Sequence, residues 1–149
     1  MATYWALTPQ KSADFELPLT QVTGLLQKLG QSGRHAVAED LLRLIGSRVP
    51  LAQCAIFSYE GGGQPRIVAM GDRARTPALP AISQDYVARF YPLDGSVPVM
   101  QAELAAARRA TAARPHILLH RQTGADITHP EYRQVCYDLP QVAERLAIL

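Results

Sequence analysis

The most reactive side chains in this sequence are two cysteines, Cys54 and Cys136, which lie far apart along the chain. Redox motifs and structural zinc sites usually place two cysteines within a few positions of each other, and no CxxC spacing occurs here. Cysteines without such a neighbour are more often small, buried hydrophobic side chains than reactive thiols, and we predict this role for both. An enzyme that uses one of these cysteines in redox chemistry stays open as the alternative.

Two histidines have a spacing that could serve a metal ion. His116 and His120 are four residues apart, and His129 follows. A zinc ion needs at least three protein ligands within reach, and the residues between the first two histidines are apolar, as in a buried strand. We therefore predict strand-end histidines, no metal site and no cofactor.

Other motifs of catalysis are missing from the sequence. The glycines at 61–63 lead into a predicted strand, whereas a phosphate-binding loop leads into a helix, so they predict a hairpin turn. No serine lies in a Gly-x-Ser-x-Gly pattern, and the carboxylates are typical of caps and solvated faces. We assign no catalytic residue and predict that the chain is not an enzyme.

The aromatic residues are more informative, because they gather in a predicted hairpin and in two short helices. Aromatic side chains dominate the buried area of small domains, so core packing is one interpretation. The other is an apolar pocket with a few polar groups, as small-molecule sites commonly are. We predict that such a pocket lies between the sheet and the helix at 82–91. Its candidate lining residues are Phe57, Tyr59, Tyr86, Phe90 and Tyr91, with Asp94 at the rim.

The elements that must position these residues follow from hydropathy patterns. Three- and four-residue spacing predicts helices, and alternation or compact apolar runs predict strands. Helices are predicted at 18–29, 34–47, 82–91, 97–113 and from Thr128 or His129 onward, and strands at 53–59, 66–70 and 116–120. The segment 141–149 fits either type. The mixture predicts an α+β fold in which the three strands lie together in one antiparallel sheet, with the first two helices on one side.

Length and composition bound the organisation of the chain. Its 149 residues predict a single domain over 1–149, and 48% hydrophobic with 19% charged residues is a globular balance. No apolar run is long enough to cross a bilayer and no secretory signal is visible, so we expect a cytoplasmic protein with no membrane partner. The apolar end at Ala147-Ile148-Leu149 predicts a domain truncated at its C-terminus, whose uncovered sheet edge or face promotes self-association.

Two segments resemble a known family. The first is Asp85-Tyr86-Val87-Ala88-Arg89-Phe90-Tyr91-Pro92-Leu93-Asp94-Gly95. The second, from Asp126 to Leu146, contains P-x-Y-R-x-x-C-Y-D-x-P-x-x-A-E-R-L at fixed spacing. Both are similar to segments in the input domain of LuxR-type transcriptional regulators of proteobacteria. The likeness extends from about Leu19 to the end of the chain.

The resemblance implies a GAF/PAS-like antiparallel sheet flanked by helices, which senses a small molecule, dimerises, or does both. It implies a homodimer that meets DNA only through a helix-turn-helix module that this sequence lacks. Residues 61–125 contain eight arginines and four acidic residues. This excess of four positive charges is too small for DNA binding by the chain itself. The sole tryptophan is Trp5, and Gly95 stands where lactone-binding members have proline, so a different ligand, or none, is expected.

Overall fold

A computed structural model describes residues 3–7, 19–28, 34–59, 64–75, 77–109 and 117–148. Within them the chain is α+β, as predicted, with two antiparallel sheets. The strands are β1 (Thr3–Leu7), β2 (Gln53–Ser58), β3 (Arg66–Asp72), β4 (Ile117–Thr123) and β5 (Glu144–Ile148). The α-helices are α1 (Leu19–Lys28), α2 (Arg34–Gly46), α3 (Ala78–Asp85), α4 (Ser96–Arg109) and α5 (Pro130–Arg133).

The chain divides into two compact units. One, here called the central unit, is Ala13–Ala88. The other, the terminal unit, combines Met1–Ser12 with Arg89–Leu149. The central unit is therefore inserted in the sequence of the terminal unit.

The central unit is built on a β-hairpin. β2 and β3 pair antiparallel from Gln53 opposite Asp72 to Ser58 opposite Arg66, which confirms the predicted hairpin. Its predicted glycine turn at 61–63 lies outside the described residues. The helix α2 packs against β3, and its apolar positions recur every three or four residues, so one stripe faces the sheet. Buried apolar residues of this unit include Ala38, Leu42, Ala69 and Leu79.

Gly71 of β3 allows this helix to approach the sheet closely. A Cβ atom at Gly71 would lie 3.0 Å from the carbonyl carbon of Ala38 and 3.0 Å from the amide nitrogen of Glu39. Both atoms belong to the backbone of α2 and cannot rotate away. The absence of a side chain at position 71 therefore sets the distance between α2 and β3.

The terminal unit contains a three-stranded antiparallel sheet in the order β1-β4-β5. Tyr4 of β1 lies opposite His120 of β4, and His120 lies opposite Ala147 of β5. The prediction that the strand at 116–120 lies beside those at 53–59 and 66–70 is therefore wrong. Both sides of β4 are occupied by strands from the two ends of the chain: β1, which was not predicted, and β5, whose type was left open.

Both faces of this sheet mix polar and apolar side chains. The side facing the interior carries the buried residues Leu118, His120 and Gln122 and the partly buried Arg145. The opposite side carries the ion pair of Arg121 with Glu144 and exposed apolar side chains. These are Trp5, Ile117, Leu146 and Ile148. The polar side chains of the interior face require hydrogen-bond partners, and it is here that the candidate site lies.

The helix predicted at 82–91 differs in its bounds. It begins earlier, at Ala78, because Pro77 and Pro80 occupy the N-cap and the first turn, where proline breaks no hydrogen bond of the helix. After α3 the chain continues in a π-helical turn at Tyr86–Phe90 and a 3₁₀ turn at Tyr91–Leu93. The predicted alanine-rich helix is confirmed as α4 over its described part.

The predicted start of the last helix is confirmed. Nδ1 of His129 accepts a hydrogen bond from the backbone amide of Tyr132 at 3.3 Å, and Pro130 follows at the first helical position. This arrangement satisfies one of the amides that a helix start leaves open. α5 then passes into a π-helical turn at Gln134–Asp138, so that Tyr132 and Tyr137 are both buried.

Candidate functional site

Arg145 of β5 is the centre of a hydrogen-bonded cluster in the terminal unit. Its Nη2 donates to Oδ2 of Asp94 at 2.6 Å and to Oε1 of Gln122 at 2.6 Å. Its Nη1 donates to the hydroxyl oxygen of Tyr132 at 3.1 Å. One guanidinium group therefore joins β4, β5, α5 and the segment before α4. We call Asp94, Gln122, Tyr132, Tyr137 and Arg145 the polar cluster.

Asp94 supplies the negative charge of the polar cluster and is only 1% exposed. Its Oδ1 accepts hydrogen bonds from the amide of Ser96 at 2.9 Å and from the Ser96 hydroxyl at 2.7 Å. These bonds form a turn immediately before α4 and fix the carboxylate. Because Oδ2 faces the guanidinium of Arg145, the buried charge is compensated by a charge-assisted hydrogen bond.

Two tyrosines complete the polar cluster. The Tyr137 hydroxyl donates to Oε1 of Gln122 at 2.8 Å, and the Tyr132 hydroxyl lies 3.4 Å from Oδ2 of Asp94. Burial raises the pKa of Tyr137 to about 12 and raises that of Tyr132 further. Both phenols therefore stay protonated near neutral pH and act as hydrogen-bond donors.

An aromatic contact supports the cluster from the π-helical turn at 86–90. The rings of Phe90 and Tyr132 stack with centroids 5.3 Å apart and an angle of 13°. Arg89 lies over the Phe90 ring at 4.9 Å and forms an ion pair with Glu131. These contacts join the 85–95 segment to the 126–146 segment. The two segments that carry the family resemblance therefore meet at one place.

His120 lies on the same interior face of the sheet as Gln122. Its ring stacks on Tyr4 with centroids 4.2 Å apart and an angle of 4°, and the Tyr4 hydroxyl donates to the carbonyl of Gly95 at 3.1 Å. His120 is fully buried, and neither ring nitrogen has a hydrogen-bond partner within the described residues. Burial and the positive charge of Arg145 lower the pKa of His120. A neutral imidazole therefore occupies this position at pH 7.

The residues predicted to line a pocket fall into both units. In the central unit, Phe57 contacts Tyr86 with ring centroids 5.3 Å apart, and Tyr59 is half-buried. In the terminal unit, Phe90 and Asp94 are buried, and Tyr91 is half-buried. Asp94, expected at a pocket rim, is one of the most buried side chains. A ligand-binding role for the set stays a prediction.

A groove of about 290 Å³ lies elsewhere in the central unit, along α1 and α2. None of its lining residues was predicted. They are Thr20, Gln21, Gly24, Leu25, Asp40 and Arg43. Arg43 donates to Oδ1 of Asp40 at 2.9 Å across one helical turn, so the polar groups of the groove are in part already paired.

Sequence reasoning missed Arg145, Gln122 and His120 as members of a site. Each lies at an interior position of a strand in the terminal unit, where an apolar side chain is the usual occupant. The one signal in the sequence was the A-E-R-L end of the quoted pattern, which contains Arg145. In β5 the alternation sets the apolar Leu146 and Ile148 on one face and Arg145 on the other, so periodicity alone would have assigned Arg145 to solvent.

The described residues contain no group of three or more His, Cys, Asp and Glu side chains that could hold a metal ion. His116, of the proposed histidine pair, lies outside the described residues. Cys54 and Cys136 are both half-buried, and burial raises the pKa of the Cys54 thiol. Over the described ranges, no helix combines the length and apolarity that crossing a membrane requires.

Comparisons of this chain with protein-family models, with curated proteins and with solved structures found no match. The fold and the polar cluster are therefore the basis for any assignment of function.

Proposed function

We propose that the chain is the signal-input domain of a cytoplasmic LuxR-type transcriptional regulator, with a GAF/PAS-like fold. Its DNA-binding activity would belong to a separate helix-turn-helix module, and the regulator would act as a homodimer. The observation that carries this proposal is the convergence of both family-like segments on the Asp94–Arg145 pair. Segments that resemble one family and meet through a buried ion pair are consistent with a shared structural role.

The proposed role requires structural change, not bond chemistry. A small molecule changes the activity of such a domain only if it binds two conformations with different affinity. The polar cluster suits this role because it joins four elements through directional hydrogen bonds. An arrangement of this kind favours discrete states over gradual deformation.

Within the central unit, three aromatic side chains remain the proposed ligand contacts. They are Phe57, Tyr59 and Tyr86. Phe57 is half-buried, and its ring contacts that of Tyr86 with centroids 5.3 Å apart. The redox-enzyme alternative has less support, because a raised thiol pKa disfavours the reactive thiolate of Cys54.

Sequencing the gene beyond the codon for Leu149 tests the proposal. We expect the reading frame to continue into a basic helix-turn-helix segment. A stop codon directly after Leu149 would contradict the proposal.

A reporter assay with the full-length product provides a second test. Arg145→Met should abolish regulation of a reporter gene, and Arg43→Met should leave it unchanged, because the Arg43 side chain is 67% exposed. Equal regulation by both variants and the unaltered protein would count against a role for the polar cluster.

A further inference from the structure

The imidazole of His120 lies beneath a strand at the edge of its sheet. In the described part of this sheet, β1 pairs with β4 alone. Tyr4 of β1 lies directly opposite His120, and its ring stacks on the imidazole with centroids 4.2 Å apart and an angle of 4°. His120 is fully buried, whereas Tyr4 is half-buried. The Tyr4 ring is therefore one of the groups that separate the imidazole from solvent.

β1 is a short strand that buries little side-chain surface. Of its described side chains, those of Thr3 and Trp5 are exposed and that of Tyr4 is half-buried. Besides the stack on His120, Tyr4 contributes the hydrogen bond from its hydroxyl to the carbonyl of Gly95 at 3.1 Å. A five-residue edge strand of this kind opens at a lower free energy than the whole domain unfolds.

The surroundings of His120 suit a neutral ring and not a charged one. Neither ring nitrogen has a hydrogen-bond partner within the described residues. Protonation gives the ring two N–H donors and a positive charge. Arg145 of β5 is the diagonal neighbour of His120, because it pairs with Gln122 in the register of β4 and β5. Protonation in place would therefore add a second positive charge beside the guanidinium.

The two carboxylates that favour protonation of His120, Asp94 and Asp126, are engaged elsewhere. Oδ2 of Asp94 accepts a hydrogen bond from Arg145 at 2.6 Å. Oδ2 of Asp126 accepts from the amide of Thr123 at 2.8 Å and from its hydroxyl at 2.9 Å. Attraction without a hydrogen bond offsets only part of the cost of burying a cation. A protonated His120 is therefore more stable in contact with water.

We propose that β1 is a strap released by acid: protonation of His120 detaches β1 from β4, and water then reaches the imidazolium. Acidity is in this way a signal to which the terminal unit responds. The face of the Tyr4 ring attracts a cation, but this attraction is weaker than the hydration that the imidazolium regains. Detachment also frees the carbonyl of Gly95, the neighbour of Asp94, so the change reaches the polar cluster.

This release concerns the proton alone and stands apart from the assignment as a signal-input domain. A failed release experiment leaves that assignment to the gene sequence and to the reporter.

The direction of the pH dependence follows from the burial of His120. Burial and Arg145 lower its pKa while β1 is in place, whereas detachment restores the ordinary histidine pKa of about 6.5. The detached state therefore binds more protons, and the attachment of β1 weakens as the pH falls below about 6.5. Each further pH unit favours detachment by up to about tenfold, until the lowered pKa is reached.

Acrylamide quenching of tryptophan fluorescence in the full chain tests the release, because the sole tryptophan, Trp5, lies on β1. Trp5 is 42% exposed with β1 in place, so its quenching constant should rise about twofold between pH 7.5 and pH 5.0. Far-UV circular dichroism should show that the rest of the chain stays folded. No rise in the wild type, or a rise that accompanies loss of the dichroism signal, would overturn the proposal.

Two substitutions on the interior face of β4 separate titration from packing. His120→Phe keeps a ring against Tyr4 but cannot be protonated, so its quenching constant should stay low at both pH values. Leu118→Met is the matched control: Leu118 is also buried on this face, and the variant retains His120, so it should respond as the wild type does. An equal rise in His120→Phe, or a response lost from both variants, would exclude His120 as the trigger.

Tyr4→Phe tests the strap without any change at His120. The variant keeps the stacked ring and loses the hydrogen bond to Gly95, so β1 is held less firmly. The midpoint of the rise in quenching should therefore move to higher pH, by about 0.7 pH units for one hydrogen bond. A midpoint that stays in place or moves to lower pH would contradict the role of Tyr4 in holding β1.

Discussion

The two units of this protein are stabilised by different physical means. The interior of the terminal unit combines apolar side chains with hydrogen bonds and with the ion pair between buried Asp94 and partly buried Arg145. The interior of the central unit is apolar, and α2 approaches β3 at the bare backbone of Gly71. A small change of shape in an apolar interior usually costs little stability, because neighbouring side chains can adjust. Removing the partner of a buried charge costs more, because the remaining charge stays uncompensated. The two units should therefore respond differently to substitutions of similar size.

Arg145→Met should have the largest effect, because it leaves the Asp94 carboxylate buried without its counter-charge. We expect a loss of about 3 kcal/mol in the free energy of unfolding. Urea unfolding followed by tryptophan fluorescence measures this loss in the terminal unit, since Trp5 is the sole tryptophan. Arg121→Met, which removes an exposed ion pair of the same sheet, should cost less than about 1 kcal/mol. Similar losses for the two variants would show that burial of the pair has little energetic importance.

Gly71→Ala tests the central unit in the same way. The new methyl group meets backbone atoms of α2 at 3.0 Å, so the helix must move, and we expect a loss of about 2 kcal/mol in the free energy of unfolding. Far-UV circular dichroism in urea measures it. Gly24→Ala is the control, because a Cβ there has no neighbour within 4 Å and alanine favours the helix by about 1 kcal/mol. If Gly71→Ala left the free energy of unfolding unchanged, the close approach of α2 to β3 would be contradicted.

His120 makes the terminal unit sensitive to pH. The pKa of His120 is lowered in the folded state by burial and by Arg145, although Asp94 and Asp126 act in the opposite direction. Below the ordinary histidine pKa, about 6.5, the unfolded chain therefore binds more protons than the folded chain. Stability is fully present above pH 6.5 and declines as the pH falls toward the folded pKa.

His120→Phe should remove this contribution while keeping a ring against Tyr4. Urea midpoints at pH 7.5 and pH 5.5, followed by Trp5 fluorescence, provide the measurement. The wild type should lose more stability between these pH values than the variant does. An unchanged pH dependence in His120→Phe would exclude His120 as its source.

The smallest change in the free energy of unfolding is expected from substitutions at two residues whose φ angle is positive. Gln141 has φ of 57° in the turn before β5, where its amide and that of Val142 bond to carbonyls of the preceding helical turn. Glycine is the usual residue at this position, so Gln141→Gly should stabilise the terminal unit by about 0.5 kcal/mol. Arg75, with φ of 51°, is the equivalent test in the central unit. Differential scanning calorimetry should show similar small increases in stability for Gln141→Gly and Arg75→Gly. Removing backbone strain acts locally, so the gain does not depend on how the interior of each unit is stabilised.

The features that could be predicted from the sequence are local ones. The hairpin partners and the His129 cap depend on residues close together in the chain, and hydropathy patterns and capping rules describe such cases well. The sheet order β1-β4-β5 depends on pairing between distant segments, which periodicity does not encode. The polar cluster was missed for the same reason: Asp94 and Arg145 are 51 positions apart, and only the fold brings them together.

The insertion of the central unit into the terminal unit has a consequence for synthesis. β1 leaves the ribosome first, yet its partner β4 follows more than a hundred residues later, as the pairing of Tyr4 with His120 shows. The central unit is continuous in sequence, so its residues are all synthesised while β1 is still unpaired. Closing such a long loop is slow, and an unpaired strand can associate with other chains in the meantime. The rate at which β4 and β5 are delivered therefore decides how long the protein is exposed to aggregation during its biosynthesis.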